Sequence, residues 1–169
     1  MFVTAKTVLS SYGKLNRLIS DMANVIEQAA VKSYYDAAPC EVLAERICTL
    51  IEKKNLICDL KARAKRALKS LSAEDVEVLA AKYGRSEKEL YFSKRSYFRK
   101  INAALSRFEE ALSAQGVTGE IFRSEYADKI SFLDVKRRMV IDEEAAVARR
   151  VRKMKPAVLG GVYRETVQS

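Results

Sequence analysis

Six side chains between positions 94 and 107 have types and spacing suited to chemistry on a polyanion: Lys94, Arg95, Ser96, Arg99, Lys100 and Arg107. At about 100° per residue, Tyr97, Phe98, Ala104, Leu105, Phe108 and Leu112 fall within about 60° of Ile101 and define the inward stripe of a helix. Arg95, Ser96, Arg99, Ala103 and Ser106 point the other way, with Lys100 and Arg107 on the flanks. The outward face therefore opens with two arginines one turn apart and continues with small side chains. A guanidinium so placed can give a guanine edge two hydrogen bonds or neutralise a phosphate. Small residues behind it let the helix lie close to a groove, and the first helical turn offers free backbone N–H donors to a phosphate. Lys94, Lys100 and Arg107 are expected on the nucleic-acid backbone. A basic amphipathic helix is just as readily an ordinary surface helix, so the pattern has to be weighed with its surroundings.

A second set of cations lies further along. Lys136-Arg137-Arg138 spans too many wheel directions to form one patch, but Arg138, Arg149 and Arg152 share a face. With Arg150 and Lys153 they are the candidates for an auxiliary phosphate contact. Set against that, Asp142 can pair with Arg138 at i,i+4, as on a solvated helix face. Other chemistries find little support. Histidine is absent, which removes the commonest general base and metal ligand. Cys40, Cys48 and Cys58 contain no Cys-x-x-Cys pair; they read as reduced, buried thiols rather than zinc ligands. Adjacent acids such as Glu109-Glu110 and Asp142-Glu143-Glu144 diverge on a helix and cannot converge on one metal. No catalytic residues, metal or cofactor are indicated, and the chain reads as a binding protein rather than an enzyme.

The net charge of +9 is uneven. Basic and acidic residues number seven each in 1–60, 13 against 7 in 61–115, and 11 against 8 in 116–169. A basic middle beside a neutral first third suggests that one part meets a polyanion while another does something else. With only two prolines and six glycines, the composition favours long helices. There is no apolar run long enough to span a bilayer and no signal-peptide pattern, so a cytoplasmic protein with no membrane partner is expected.

The elements that must position these residues read as all-α. Val8, Tyr12, Leu15, Ile19, Met22, Ile26 and Ala29 alternate steps of four and three, an a/d seam. The pattern breaks around Ser33–Pro39 and resumes at roughly 40–69 with a wider apolar set. Residues 1–70 thus read as a long helical hairpin, for bundle packing or for pairing with a second copy. Residues 71–116 hold a helix starting at Ser72, with Asp75 completing a capping pair and Val76, Leu79 and Tyr83 on one face. Gly84 ends it. A capped turn at 86–91 follows, then the helix capped by Ser93. A C-terminal arm, 117–155, has a short amphipathic piece at Ile121-Phe122 and a basic helix at roughly 130–154 with Leu133, Val140, Val147, Val151 and Met154 on one stripe. Residues 156–169 are expected to be an irregular tail.

Residues 71–112 resemble region four of bacterial sigma factors and the small phage- and plasmid-type regulators built on it. That family opens Leu-Pro-x-x-x-x-x-Val-Leu-x-x-x-Tyr. Leu71, Val78, Leu79 and Tyr83 keep the spacing, with Ser72 in place of proline. Ser93, Ser96, Tyr97, Ile101, Ala104, Leu105 and Phe108 fit the register of its recognition helix. Between Tyr83 and Ser93 the chain is shorter than the pattern, so the supporting helix is cut to about one turn. The resemblance implies a degenerate helix-turn-helix that regulates transcription, with double-stranded DNA as partner and Arg95, Ser96 and Arg99 in contact with it. It also admits a contact with RNA polymerase. The regulator so read can be a homodimer through residues 1–70; a second reading stays open beside it, a helical interaction or scaffold protein whose hairpin binds a partner or itself and which keeps the helix-turn-helix packing without DNA binding.

Overall fold

Two long helices with facing apolar seams set the frame. In the computed structural model, which describes residues 2–84 and 94–159 with side chains at 2–84 and 95–151, α1 (Val3–Lys32) packs along α2 (Cys40–Lys69). The turn at 33–39 is closed by Asp36, whose Oδ1 accepts the Ala38 N–H at 3.0 Å. Pro39 at the head of α2 supplies a fixed φ of −54°. Lys61 donates a hydrogen bond to Asn16 across the pair, so the helices form an antiparallel hairpin. Burial is confined to its open end. The buried residues of α1 run from Thr4 to Leu15 and those of α2 from Ile57 to Ala67. None of residues 16–56 is buried. Two helices alone shield one stripe each; complete burial needs a third layer, and only the open end has one.

That layer is α3 (Ala73–Tyr83), α4 (Lys94–Ala114), the single turn α5 (Gly119–Ile121), a π-helix at Phe122–Ala127, and α6 (Ser131–Leu159). All are helical, and the described residues contain no strand. The middle of α4 presents Ile101, Ala104, Leu105, Phe108 and Leu112, each at most 1% exposed, to Val8, Leu15, Ile57, Leu60, Leu79 and Phe122. Each large side chain so buried contributes about 1.5–3 kcal/mol relative to exposure. Gly116, at φ +78°, ends α4. Its N–H bonds Ser113 O at 2.9 Å and Val117 N–H bonds Leu112 O at 2.9 Å, the paired bonds of a Schellman motif. Arg63 ties this corner to α2, donating to Gln115 O and to Asp59, each at 2.8 Å. Tyr126 closes the same network by donating to Asp59 Oδ2 at 2.6 Å. The wider π turn lets Phe122 and Tyr126 both face inward, their rings stacked 6.1 Å apart.

α6 lies against the start of α1. Lys6 pairs with Glu144, while Ser10 and Val140 line a common recess. Since α1 begins at Val3, α6 runs antiparallel to it and outruns its partner about a turn past Glu144. Among the described side chains of α6 Val140 is the last that is buried, and 146–151 are all exposed. No helix among the described residues is long and apolar enough to cross a membrane.

Several expectations from the sequence need correction. Cys40, Cys48 and Cys58 are exposed, not buried; Cys48 and Cys58 each sit one residue off the inward register set by Ile47 and Ile57, so they turn outward. Val76 is 36% exposed, because Val78 and Leu79 carry the inner face of α3. Phe98, at the margin of the α4 stripe, is 52% exposed. Val147 and Val151 are 59% and 50% exposed because α6 has left the body by then. Arg138 pairs with Asp134 at 2.6 Å and not with Asp142; the acid preceding the base is the better helical orientation. The Ile121-Phe122 piece is half π-helix, with Ile121 exposed and Phe122 buried. α6 continues through Pro156 to Leu159, so helix replaces the first part of the irregular tail. A proline within a helix forfeits one of its hydrogen bonds. The caps at Ser86 and Ser93, the turn at 86–91 and the tail beyond Leu159 lie outside the described residues, as do the side chains of Lys94, Arg152, Lys153 and Met154.

Candidate nucleic-acid interface

The site is built on α3 and the first half of α4. Ser72 starts α3: its Oγ accepts the Asp75 N–H at 3.2 Å and donates to Asp75 Oδ2 at 2.8 Å. This aims the Asp75 carboxylate, 7% exposed, at α4, where Arg107 Nη2 meets Oδ1 at 2.6 Å. The Arg107 hydrogen bond, helped by Ser72 and opposed by burial, holds the Asp75 carboxyl below its usual value. In the same contact Lys100 Nζ reaches Glu74 Oε1 at 2.5 Å. The acidic first turn of α3 therefore clamps the flank of α4 with two ion pairs. Arg107 and Lys100 are engaged in fixing one helix on the other, a task their spacing within α4 could not reveal, since Asp75 and Arg107 lie 32 residues apart.

Two arginines remain on the outward face. Arg95 and Arg99 are exposed, one helical turn apart, and neither forms an ion pair with another described residue. Ser96, expected to point outward, is half-buried, as is Ala103 behind it. Arg99, Lys100, Ala103 and Arg107 share a shallow recess of about 210 Å³ with Glu74, Asp75 and Val78. The N-terminal turns of α4 thus present a cationic surface on a base locked into the core from Ile101 onward.

The auxiliary set is dispersed. Arg138 is tied to Asp134, which Arg137 also approaches at 3.8 Å. Arg149 and Arg150 are exposed on the projecting half of α6. A different trio went unnoticed in the sequence. Lys6 of α1, Lys82 of α3 and Lys136 of α6 line one recess of about 150 Å³ with Ser10, Tyr83 and Glu143. No local spacing could have found it, because it draws on three helices from across the chain. Burial pushes the Tyr83 hydroxyl up to about 12, with Glu143 and Tyr97 adding to the effect. Tyr97 belongs to the same turns of α4 as Arg95 and Arg99 but lies on their inward face.

No protein-family model, curated protein or solved structure matches the chain.

Proposed function

We propose that this chain is a DNA-binding transcriptional regulator, a binder rather than a catalyst, in which α4 addresses the duplex through Arg95 and Arg99. The observation that carries the reading is the contrast within one helix. Lys100 and Arg107 are neutralised by the acidic turn of α3, whereas Arg95 and Arg99 stand exposed without an ion pair among the described residues. A helix anchored by its middle and presenting guanidinium groups from its first turns is how the resembled fold reads a major groove. Arg149 and Arg150 are the auxiliary backbone contacts in this reading. A good bidentate arginine–guanine pair discriminates by about 1–3 kcal/mol. Arg95→Ala with Arg99→Ala should therefore lower affinity for a duplex selected from a random pool by at least about tenfold and relax its sequence preference. Arg149→Ala with Arg150→Ala should weaken all duplexes alike. If the first pair changes neither affinity nor preference, α4 is not the reader.

A second reading has its own support. The hairpin beyond the body has no fully buried residue and leaves Val25, Val31, Val42 and Ile51 between 38% and 56% exposed. That surface favours pairing with a second copy through residues 1–70, either alongside DNA binding or in place of it.

A further inference from the structure

We infer that the recess ringed by Lys6, Lys82 and Lys136 is a seat for a phosphate group. Three helices, α1, α3 and α6, each bring one lysine to the wall of a space of about 150 Å³, which Ser10, Tyr83, Met139, Val140 and Glu143 share. The charges are not matched one for one. Lys6 pairs with Glu144. Lys82 and Lys136 have no ion pair among the described residues, and Lys82 instead lies 5.8 Å from the centre of the Tyr83 ring. Burial first, and then the facing Lys82, make the Lys6 ammonium easier to deprotonate, while Glu143 works in the opposite direction. Like charges crowded around a half-enclosed space are unfavourable until an anion enters it.

Location decides which phosphate. With Glu143 in the wall and Glu144 on Lys6, the three ammoniums carry a net excess of one charge. That gives a weak hold on a free anion, one that registers only at high anion concentration. It is enough for a phosphate already brought close by other contacts on the same strand. Tyr97, which adds to the upward push on the Tyr83 hydroxyl, stands in the first turns of α4 on the inward face, away from Arg95 and Arg99. The occupant proposed is a backbone phosphate of a duplex held at the first turns of α4, on the strand that flanks their inward side. The assignment to a backbone phosphate rests on the DNA-binding reading; the phosphate chemistry itself does not.

The test uses the full chain with Lys82→Gln and Lys136→Gln, and Arg123→Gln with Lys129→Gln, both exposed and outside every proposed contact, as a control of equal charge change. Duplex affinity is measured as a function of salt. Losing one phosphate contact should make the slope of log affinity against log salt shallower by about 0.9, alike for every duplex, while the control keeps the wild-type slope. Lys82→Arg with Lys136→Arg should restore it. Equal slopes in the lysine-to-glutamine variant and the control overturn the proposal. If the wild-type chain binds no duplex, the DNA reading fails by itself and inorganic pyrophosphate decides the seat. A rise in melting temperature with pyrophosphate that the Lys82→Gln, Lys136→Gln variant abolishes supports a seat for free phosphates. An equal rise in both proteins, or none, overturns the seat.

Discussion

Asp75 joins two jobs in one side chain. Its backbone N–H takes the Ser72 cap while its carboxylate takes both the Ser72 hydroxyl and the Arg107 guanidinium. Because Arg107 holds the folded carboxyl below its ordinary value of 3.8, the pH effect has a definite sign. Above that value the carboxylate is charged in both states and its stabilisation is fully present. As pH falls below it, the unfolded chain takes up the proton first, and the contribution disappears as pH passes through the lowered folded value. Asp75→Asn should therefore be less stable than wild type at neutral pH, and the gap should narrow on acidification. Arg107 is half-exposed, so solvent screening keeps the loss modest. Denaturant midpoints measured at several pH values check this; a gap that is constant or widens toward acid would show that the ion pair is not its source. The pair was not legible in the sequence. The Ser72–Asp75 cap follows from local spacing, but no periodicity points from Asp75 to a residue on another helix.

At the scale of the element, α4 shows what sequence can and cannot give. Ile101, Ala104, Leu105, Phe108 and Leu112 are inward because their steps of three and four match the helical repeat, and all are buried. Phe98, at the stripe's margin, is exposed, since hydrophobicity alone does not say where a helix leaves its neighbours. The cysteines were misread for a related reason: the tendency of the residue type was followed where the register of Ile47 and Ile57 should have decided. The end of α4 was plain, because Gly116 follows the last apolar position and adopts a conformation that favours glycine. What could not be foreseen is its neighbour. A Cβ at Gly116 would stand 2.9 Å from Arg63 Nη1, the atom that donates to Gln115 O. Gly116→Ala thus combines left-handed strain of about 1–2 kcal/mol with disturbance of the Arg63 tie. Chemical denaturation should show a loss at or above the strain alone, and Arg63→Ala in the same background should add less than it does in wild type. Full additivity would mean that the two are not coupled.

For the molecule as a whole, the hairpin poses the largest question, because residues 16–56 contain no buried side chain. Each arm of 17 residues from Asn16 to Lys32 is about 25 Å long. Charge grades along it. Residues 27–46 hold Glu27, Asp36, Glu41 and Glu45 against Lys32 and Arg46, whereas 52–69 hold Lys53, Lys54, Lys61, Arg63, Lys65, Arg66 and Lys69 against Glu52 and Asp59. Two copies laid antiparallel would set the acidic tip of each on the basic base of the other, a self-complementary two-fold contact. A face about 25 Å long and two helices wide offers on the order of 1,000 Å² in total, near the lower limit for a specific interface, so the pairing should be weak and salt-sensitive. Sedimentation velocity at tens of micromolar and low salt should show dimer that dissociates as salt rises. Val25→Glu with Ile51→Glu, both at positions already about 40% exposed or more, should give a folded monomer. A wild-type chain that stays monomeric at low salt removes the dimer and leaves the hairpin face to another partner. A dimer indifferent to both salt and these substitutions would have to be built through some other face, because the charge gradient and the apolar residues of the hairpin are what this pairing requires.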